Sequence, residues 1–271
     1  MAQAPLQLLG IIAGNGVYPR ILADAARKAG VKKIVAVAFT DETDPSIDKH
    51  VDVVEWLRVG QLSRLLKFFR EHKVRQAIMA GQIAPKNLFE LRPDMKALVV
   101  LAKLKQRNAE SIFTAIADEL KKADVDLLSA TTFLEDELAV KGLITGAKLS
   151  RTEDEDVDLG WNVAKEIARL DIGQTIIVKN GTVLAVEAFE GTNDAIKRGG
   201  ALAREGAVMI KVAKPNQDMR FDVPVIGVET IKIAAEAKLR VIAVESGKTL
   251  LLERNAIVDL ARRANISIVA R

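Results

Sequence analysis

The chain has 271 residues, of which 49% are hydrophobic and only 4% aromatic, with no cysteine, two histidines and a formal net charge of +4 at neutral pH. The absence of cysteine excludes disulfides, thiolate metal sites and a Cys nucleophile, and His50 and His72 alone cannot build a multi-histidine metal centre within one chain. Lys and Arg are interleaved with Asp and Glu, and no basic run alternates with aromatics, which argues against nucleic acid as a partner and leaves a weak preference for anionic substrates or membrane surfaces.

The length suggests about two domains. LQLLGIIAG (6–14) is a continuous apolar run, as a strand buried on both faces should be. No basic n-region precedes it, so MAQAPLQLLGIIAG reads as entry into a first strand rather than a signal peptide, and no apolar run approaches the ~18 residues of a membrane span. The cytoplasm is therefore the expected compartment. A glycine-rich turn follows, then a helical ILADAARKAG stopped by Gly30. IVAVAF (34–39), VDVVEWL (51–57) and QAIMAGQ (76–82) are further strands. GQLSRLLKFFREHK (60–73) is a helix with Leu62, Leu65, Leu66 and Phe69 on one face. This repetition predicts an α/β fold with a Rossmann-like parallel sheet and right-handed crossovers.

MKALVVLAKLK and SIFTAIADELKK carry helical patterns. The apolar residues of KALVVLAKLKQR (96–107) read as core by their periodicity, with contact to acyl chains or a bilayer as the alternative. VDLLSATTFL (125–134) is read as one more strand, and over 136–152 the pattern dissolves into a connecting segment. The expected organisation is a Rossmann-like N-terminal domain (1–135), a linker (136–152) and a mixed α+β C-terminal domain (153–271). The latter opens with a helix at 154–171. TIIVKNGTVLAVEAF (175–189) follows, two β-rich runs flanking Asn180-Gly181, whose type I′ turn needs positive φ at both central positions. A helix at 193–205, a strand at 208–214, a helix at 228–237, the strand RVIAVES, a hairpin-like GKTLLLE, the helix RNAIVDLARRA and the strand ISIVA complete it.

Three segments carry candidate chemistry. Gly14-Asn15-Gly16 follows a strand and opens a helix, where glycines let a backbone approach phosphate and the helix N-terminus favours an anion. Pro19 stands where the dinucleotide fingerprint has its third glycine, so an NAD site, a phosphate-contacting turn and a plain tight turn all stay open. In EAFEGTND, Glu187 sits inside an apolar strand and needs a partner. Arg198 or Lys197 is a candidate for that role, Glu190 follows, and Thr192 or Asn193 is placed to cap the next helix. In the third segment, Lys211 and Lys214 lead into PNQDMRFDVP. This loop has Asp218 and Asp222 four residues apart, Arg220 between them, Gln217 alongside and a stiffening proline at each end. Two carboxylates with substrate phosphates suit Mg²⁺, and Arg with Lys suits phosphate charge, while a salt-bridged surface loop is the competing reading.

LGIIAGNGVYP, TIIVKNGTVLAVEAFEGTND and KVAKPNQDMRFDVPVIGVET occur in this order. Together they resemble the UDP-2,3-diacylglucosamine pyrophosphatase family of lipid A biosynthesis, the type unrelated to the His-rich metallophosphoesterases. The resemblance implies a Rossmann-like N-terminal domain and a C-terminal catalytic domain. It also implies Mg²⁺-dependent hydrolysis of UDP-2,3-diacylglucosamine to 2,3-diacylglucosamine 1-phosphate and UMP. On that basis Asp222, with Asp218 close behind, is the expected catalytic carboxylate; the chemistry of the residues themselves then makes Asp218, Asp222, Glu187 and Glu190 the expected metal ligands or water-orienting groups. Gly14, Asn15, Gly16, Thr192, Arg198, Lys211, Lys214, Gln217 and Arg220 are the expected substrate contacts. A diacylated substrate further implies transient contact with a membrane, peripheral on its cytoplasmic side, and a homodimer is open. Two rival classes remain: a nucleotide-binding oxidoreductase using the N-terminal turn, and a non-catalytic nucleotide-sugar sensor.

Overall fold

The computed structural model describes residues 6–83, 93–105, 108–215 and 217–271. Residues 106, 107 and 216, which fall within two of the segments singled out above, lie outside the described residues. The chain divides into two compact units, the first running to Leu134 and including Met219–Asp222, the second comprising Glu135–Asp218 and Val223–Arg271.

In the first unit, β1 (Leu8–Ala13), β2 (Lys33–Phe39), β3 (Val53–Leu57), β4 (Gln76–Ala80) and β5 (Asp126–Leu127) form one sheet in the order β3-β2-β1-β4-β5, every pair parallel. This is the Rossmann-like arrangement expected from the strand–helix repetition, with α1 (Tyr18–Lys28), α2 (Leu62–Glu71), α3 (Met95–Ala102) and α4 (Ala109–Lys122) following the strands. The α2 stripe of Leu62, Leu65, Leu66 and Phe69 is buried against Val35, Val37 and Leu57 of the sheet. The strand expected over 125–134 is only two residues long. Beyond it the chain turns on itself, Thr132 N–H to Ser129 O and Leu134 N–H to Thr131 O, while the Ser129 and Thr131 hydroxyls bond each other at 2.8 Å. Such local hydroxyl bonding competes with a strand ladder.

The second unit holds β6 (Gly142–Thr145), α5 (Arg151–Arg169), β7 (Thr175–Lys179), β8 (Thr182–Val186), α6 (Thr192–Ala203), β9 (Val208–Lys211), β10 (Val225–Ile226), α7 (Val228–Glu236), β11 (Val241–Val244), β12 (Leu250–Leu251), α8 (Arg254–Arg263) and β13 (Ser267–Ala270). Its main sheet has the order β6-β13-β11-β9-β7-β8, parallel among β13, β11 and β9 and antiparallel elsewhere. Side chains alternate between two cores. Ile176, Val178, Val208, Ile210, Val241 and Ala243 pack with Val157 and Ala164 of α5. Ile177, Met209, Ile242 and Val244 pack with Ile196, Ile231 and Ile257 of α6, α7 and α8. A sheet covered on both faces needs apolar residues at every position, which is why these strands read as unbroken apolar runs.

Three expectations are corrected in this unit. The connecting segment 136–152 contains β6, which adds antiparallel to β13, and α5 begins at Arg151 rather than 154. The helix start follows from a capping box, since Ser150 Oγ accepts from Glu153 N–H at 3.3 Å while Glu153 Oε2 accepts from Ser150 N–H at 2.6 Å. GKTLLLE is no hairpin, because its β12 pairs in parallel with β10.

The β7–β8 hairpin turns at Asn180 (φ 49°) and Gly181 (φ 71°) as the sequence predicts. A feature not foreseen is Asp156 of α5, only 3% exposed, whose carboxylate accepts the Asn180 N–H at 2.8 Å and the Gly181 N–H at 2.6 Å. Charged acceptors make strong bonds, so Asp156→Ala is expected to cost about 3 kcal/mol of stability in urea unfolding. Asp158→Ala, which removes only an exposed partner of Arg271, should cost less than about 0.5 kcal/mol.

Candidate active site

In each unit the candidate residues lie where the chain leaves the ends of strands. In the first unit the sheet reverses direction of winding between β1 and β4, the position at which open α/β sheets bind ligands beyond the carboxyl ends of the strands. Gly14 and Asn15 lie there, but their N–H groups donate to Ala80 O and Gln82 O, both at 2.7 Å. A Cβ on Gly14 would come within 2.5 Å of Gln82 O. Glycine is therefore required at this position by the approach of the β4 exit, and the two N–H groups are engaged by protein rather than open to phosphate. Gly16 differs: its φ is +88° and the space beside its Cα is open.

Tyr18, at the start of α1, is buried and donates its hydroxyl to Ala130 O, and burial pushes the phenol above its usual range. Ala130 in turn donates its N–H to Met219 O at 2.7 Å, and Ser129 Oγ reaches the same oxygen at 3.3 Å. Phe221 stacks on Phe113 of α4 with ring centroids 5.7 Å apart, and the Arg220 guanidinium lies 5.9 Å from the Phe221 ring. Met219–Asp222 is thus fixed to the first unit by its main chain and by Phe221. Asp222 is held next to these anchors.

In the second unit β8 and β9 run in the same direction and β7 opposite to both, so Glu187 after β8, Lys211 ending β9 and Thr175 starting β7 meet at one sheet edge. Thr175 pairs directly with Lys211. Lys211 Nζ donates to Thr192 Oγ1 at 2.6 Å, and Thr192 donates to Glu187 Oε1 at 2.8 Å. Thr175 Oγ1 stands 3.4 Å from Thr192 Oγ1, and the Gln174 N–H is 3.4 Å from Glu187 Oε2. Glu187 is 8% exposed and Lys211 6%, so an ammonium and a carboxylate are buried together with one hydroxyl between them.

This cluster corrects two expectations. Thr192 does not cap α6, whose N-cap is Gly191 with no side-chain bond, because its hydroxyl is taken by Glu187 and Lys211. Nor do Arg198 and Lys197 partner Glu187: Arg198 pairs with Glu190, and Lys197 with Asp194 three residues back on the same helix. Arg198 holds Glu190 below the usual carboxylate range. Lys214 bonds the Asp171 carboxylate, and its N–H donates to Gln217 Oε1 at 2.7 Å, while Gln217 Nε2 is buried without a hydrogen bond.

Sequence reasoning missed Thr175 and a further carboxylate, Glu245 just after β11, and took Tyr18 only as part of the turn Gly14–Pro19 without a role of its own. Glu245 accepts the Ala213 N–H at 2.8 Å and binds Lys165 and Lys248. Burial raises its pKa, but those three hydrogen bonds outweigh it and hold it below the usual range. The strand ends ES and KVAK were visible, whereas the strand order that brings them together was not.

Among the described residues no group of three or more His, Cys, Asp or Glu side chains is placed to hold a metal ion. Mg²⁺ is commonly held by one or two carboxylates plus substrate phosphates and does not require such a group.

A Rossmann-like unit followed by a mixed-sheet unit, with charged and hydroxyl side chains gathered at strand ends, defines a two-unit α/β protein of enzyme type. The LpxI N-terminal domain model matches residues 8–137 and the LpxI C-terminal domain model residues 140–269. The chain is also 31% identical over 269 residues to the UDP-2,3-diacylglucosamine pyrophosphatase LpxI of Caulobacter vibrioides, covering 94% of each. The chain belongs to the LpxI family. Among solved structures, the biotin carboxylase domain of a Hydrogenobacter thermophilus 2-oxoglutarate carboxylase matches with 11% identity and a TM-score of 0.30, over 66% of this chain and 36% of that one. The biotin carboxylase subunit of a pyruvate carboxylase matches with 14% identity and a TM-score of 0.28, over 68% and 38%. Likenesses this small carry no argument about fold or function.

Proposed function

We propose that this protein hydrolyses the pyrophosphate bond of UDP-2,3-diacylglucosamine, yielding 2,3-diacylglucosamine 1-phosphate and UMP, with Mg²⁺, as a step of lipid A synthesis. The observation that carries this reading is the relationship to the Caulobacter pyrophosphatase, which extends over 94% of both chains. Cleaving a phosphoric anhydride requires that a water be oriented and that charge developing on the phosphoryl oxygens be met by fixed cations.

In the proposed arrangement Asp222 is the principal catalytic carboxylate, supported by Asp218 in the same loop, and these two would hold Mg²⁺, which supplies charge neutralisation to the phosphates. Asp222 orients the attacking water, a role suited to a side chain whose flanking main chain is pinned to Ala130. Lys211 presents an ammonium whose position is fixed by Thr192, with Glu187 balancing its charge. Arg220, Lys214 and Gln217 are proposed to meet phosphate and uridine groups, and Arg198 would do so on leaving Glu190. Glu187 and Glu190 are proposed in supporting roles, Glu187 balancing Lys211 through Thr192 and Glu190 paired with Arg198. In the N-terminal turn, open space at Gly16 is the feature proposed to admit substrate, since the Gly14 and Asn15 N–H groups are engaged. That engagement also weighs against the oxidoreductase alternative, whose pyrophosphate would use those donors.

No helix among the described residues is long and apolar enough to cross a membrane. A cytoplasmic protein that meets its diacylated substrate at the bilayer surface fits the proposal. The test is to incubate the protein with UDP-2,3-diacylglucosamine and Mg²⁺, with and without EDTA. UMP is expected with Mg²⁺ and at least ~100-fold less with EDTA. Binding without UMP release would favour a sensor, and EDTA-insensitive release would remove the metal from the proposal.

A further inference from the structure

The segment MKALVVLA of α3 has apolar residues at positions i, i+3, i+4 and i+7, namely Met95, Leu98, Val99 and Ala102. In a soluble domain that pattern marks the face turned to the core. Here it is turned outward: Met95 is 75% exposed, Leu98 47% and Val99 50%, and Ala102 is exposed as well. The core side of α3 is Ala97, which is buried, and Val100, which packs against the core of the first unit. The helix is held in this rotation by polar ties. Asp94 accepts the Ala97 N–H at 2.9 Å and the Ser63 N–H at 2.7 Å, and Lys96 bridges to Glu119 of α4 at 2.8 Å. Lys103 and Lys105, both exposed, follow directly, and no acidic residue occurs between Met95 and Lys105.

We infer that α3 is the surface through which the protein docks on a bilayer containing anionic lipid. An exposed apolar stripe running into lysines, with no acidic residue in the stretch 95–105 itself, is what an interfacial helix presents. The lysine border is complementary to anionic headgroups and argues for this occupant over a second copy of the chain, whose α3 would bring the same positive charge against it. The inference rests on the proposed function for its purpose, since a diacylated substrate must be taken from a membrane, but its test does not depend on activity.

The experiment is co-sedimentation of the full-length protein with vesicles of phosphatidylglycerol and phosphatidylethanolamine, or of phosphatidylcholine alone, with no substrate present. Wild type is expected to sediment with the anionic vesicles. The double variant Leu98→Glu, Val99→Glu should bind them about tenfold less, and Lys103→Glu, Lys105→Glu should lose the preference for anionic over neutral vesicles. The substituted side chains are exposed, so the far-ultraviolet spectrum and unfolding midpoint should not change. UMP release from detergent-dispersed substrate should stay within twofold of wild type. The inference is overturned if the first variant sediments as wild type does, if wild type ignores anionic vesicles, or if wild type forms a dimer that the variant abolishes. Absence of UMP release by wild type in detergent would instead refute the proposed function and leave the vesicle result to stand or fall on its own.

Discussion

Asp222→Ala is expected to lower kcat for UMP release by about 10³-fold or more, with KM within a few-fold of wild type. The reasoning is local. Met219 O accepts from Ala130 N–H at 2.7 Å and Phe221 stacks on Phe113, so the main chain that carries Asp222 is fixed by contacts its carboxylate does not make. Asp222→Asn, nearly isosteric, is expected to lose almost as much rate, because what it lacks is charge. Asp218 belongs to the second unit, outside the stretch Met219–Asp222, and as the supporting carboxylate of the proposal its replacement by Asn is expected to lose about tenfold. Steady-state kinetics on the three variants checks the order. Retention of more than a tenth of wild-type kcat by Asp222→Ala would remove that residue from the mechanism.

The second large effect is expected at Lys211. Replacing it with Met keeps the apolar stem of the side chain but deletes the ammonium, leaving the Glu187 carboxylate buried with the Thr192 hydroxyl and a long contact to Gln174 N–H. Uncompensated buried charge is costly, so Lys211→Met is expected to destabilise the protein by about 3 kcal/mol and to lower kcat by about 10²-fold. The two losses have different origins and a second substitution separates them. Glu187→Gln in the Lys211→Met background removes the stranded charge and should restore about half of the lost stability without restoring turnover. Denaturant unfolding and UMP release on the two single variants and the double variant form the cycle. Restoration of activity along with stability would mean that Lys211 acts only through the fold.

Much of the fold was legible because the signals were local. Apolar runs placed β1, β2, β4 and β9, the α2 stripe placed its own buried face, and Asn180-Gly181 placed the hairpin. β6 was missed because an edge strand of four residues, half of them exposed, lacks the apolar continuity that marks the interior ones. The start of α5 was misplaced although Ser150 and Glu153 spell a capping box. In the site, Glu187 stood out as a carboxylate in an apolar run, and the structure buries it just past the end of β8, but its partners were sought on Arg198 and Lys197, one helical turn beyond Asp194. They are instead Thr192 and, through it, Lys211, which a strand register brings across the sheet. The face of α3 misled for the opposite reason: periodicity locates an apolar stripe but not the side of the protein it faces.

The central claim is cleavage of a nucleotide diphosphate into two monoesters, and ³¹P NMR of the protein turning over UDP-2,3-diacylglucosamine with Mg²⁺ tests it most directly. The two diphosphate resonances should disappear together, replaced by two phosphomonoester resonances of equal intensity, those of UMP and 2,3-diacylglucosamine 1-phosphate. Persistence of the diphosphate resonances in the presence of bound protein, or the appearance of UDP in place of UMP, would contradict the account.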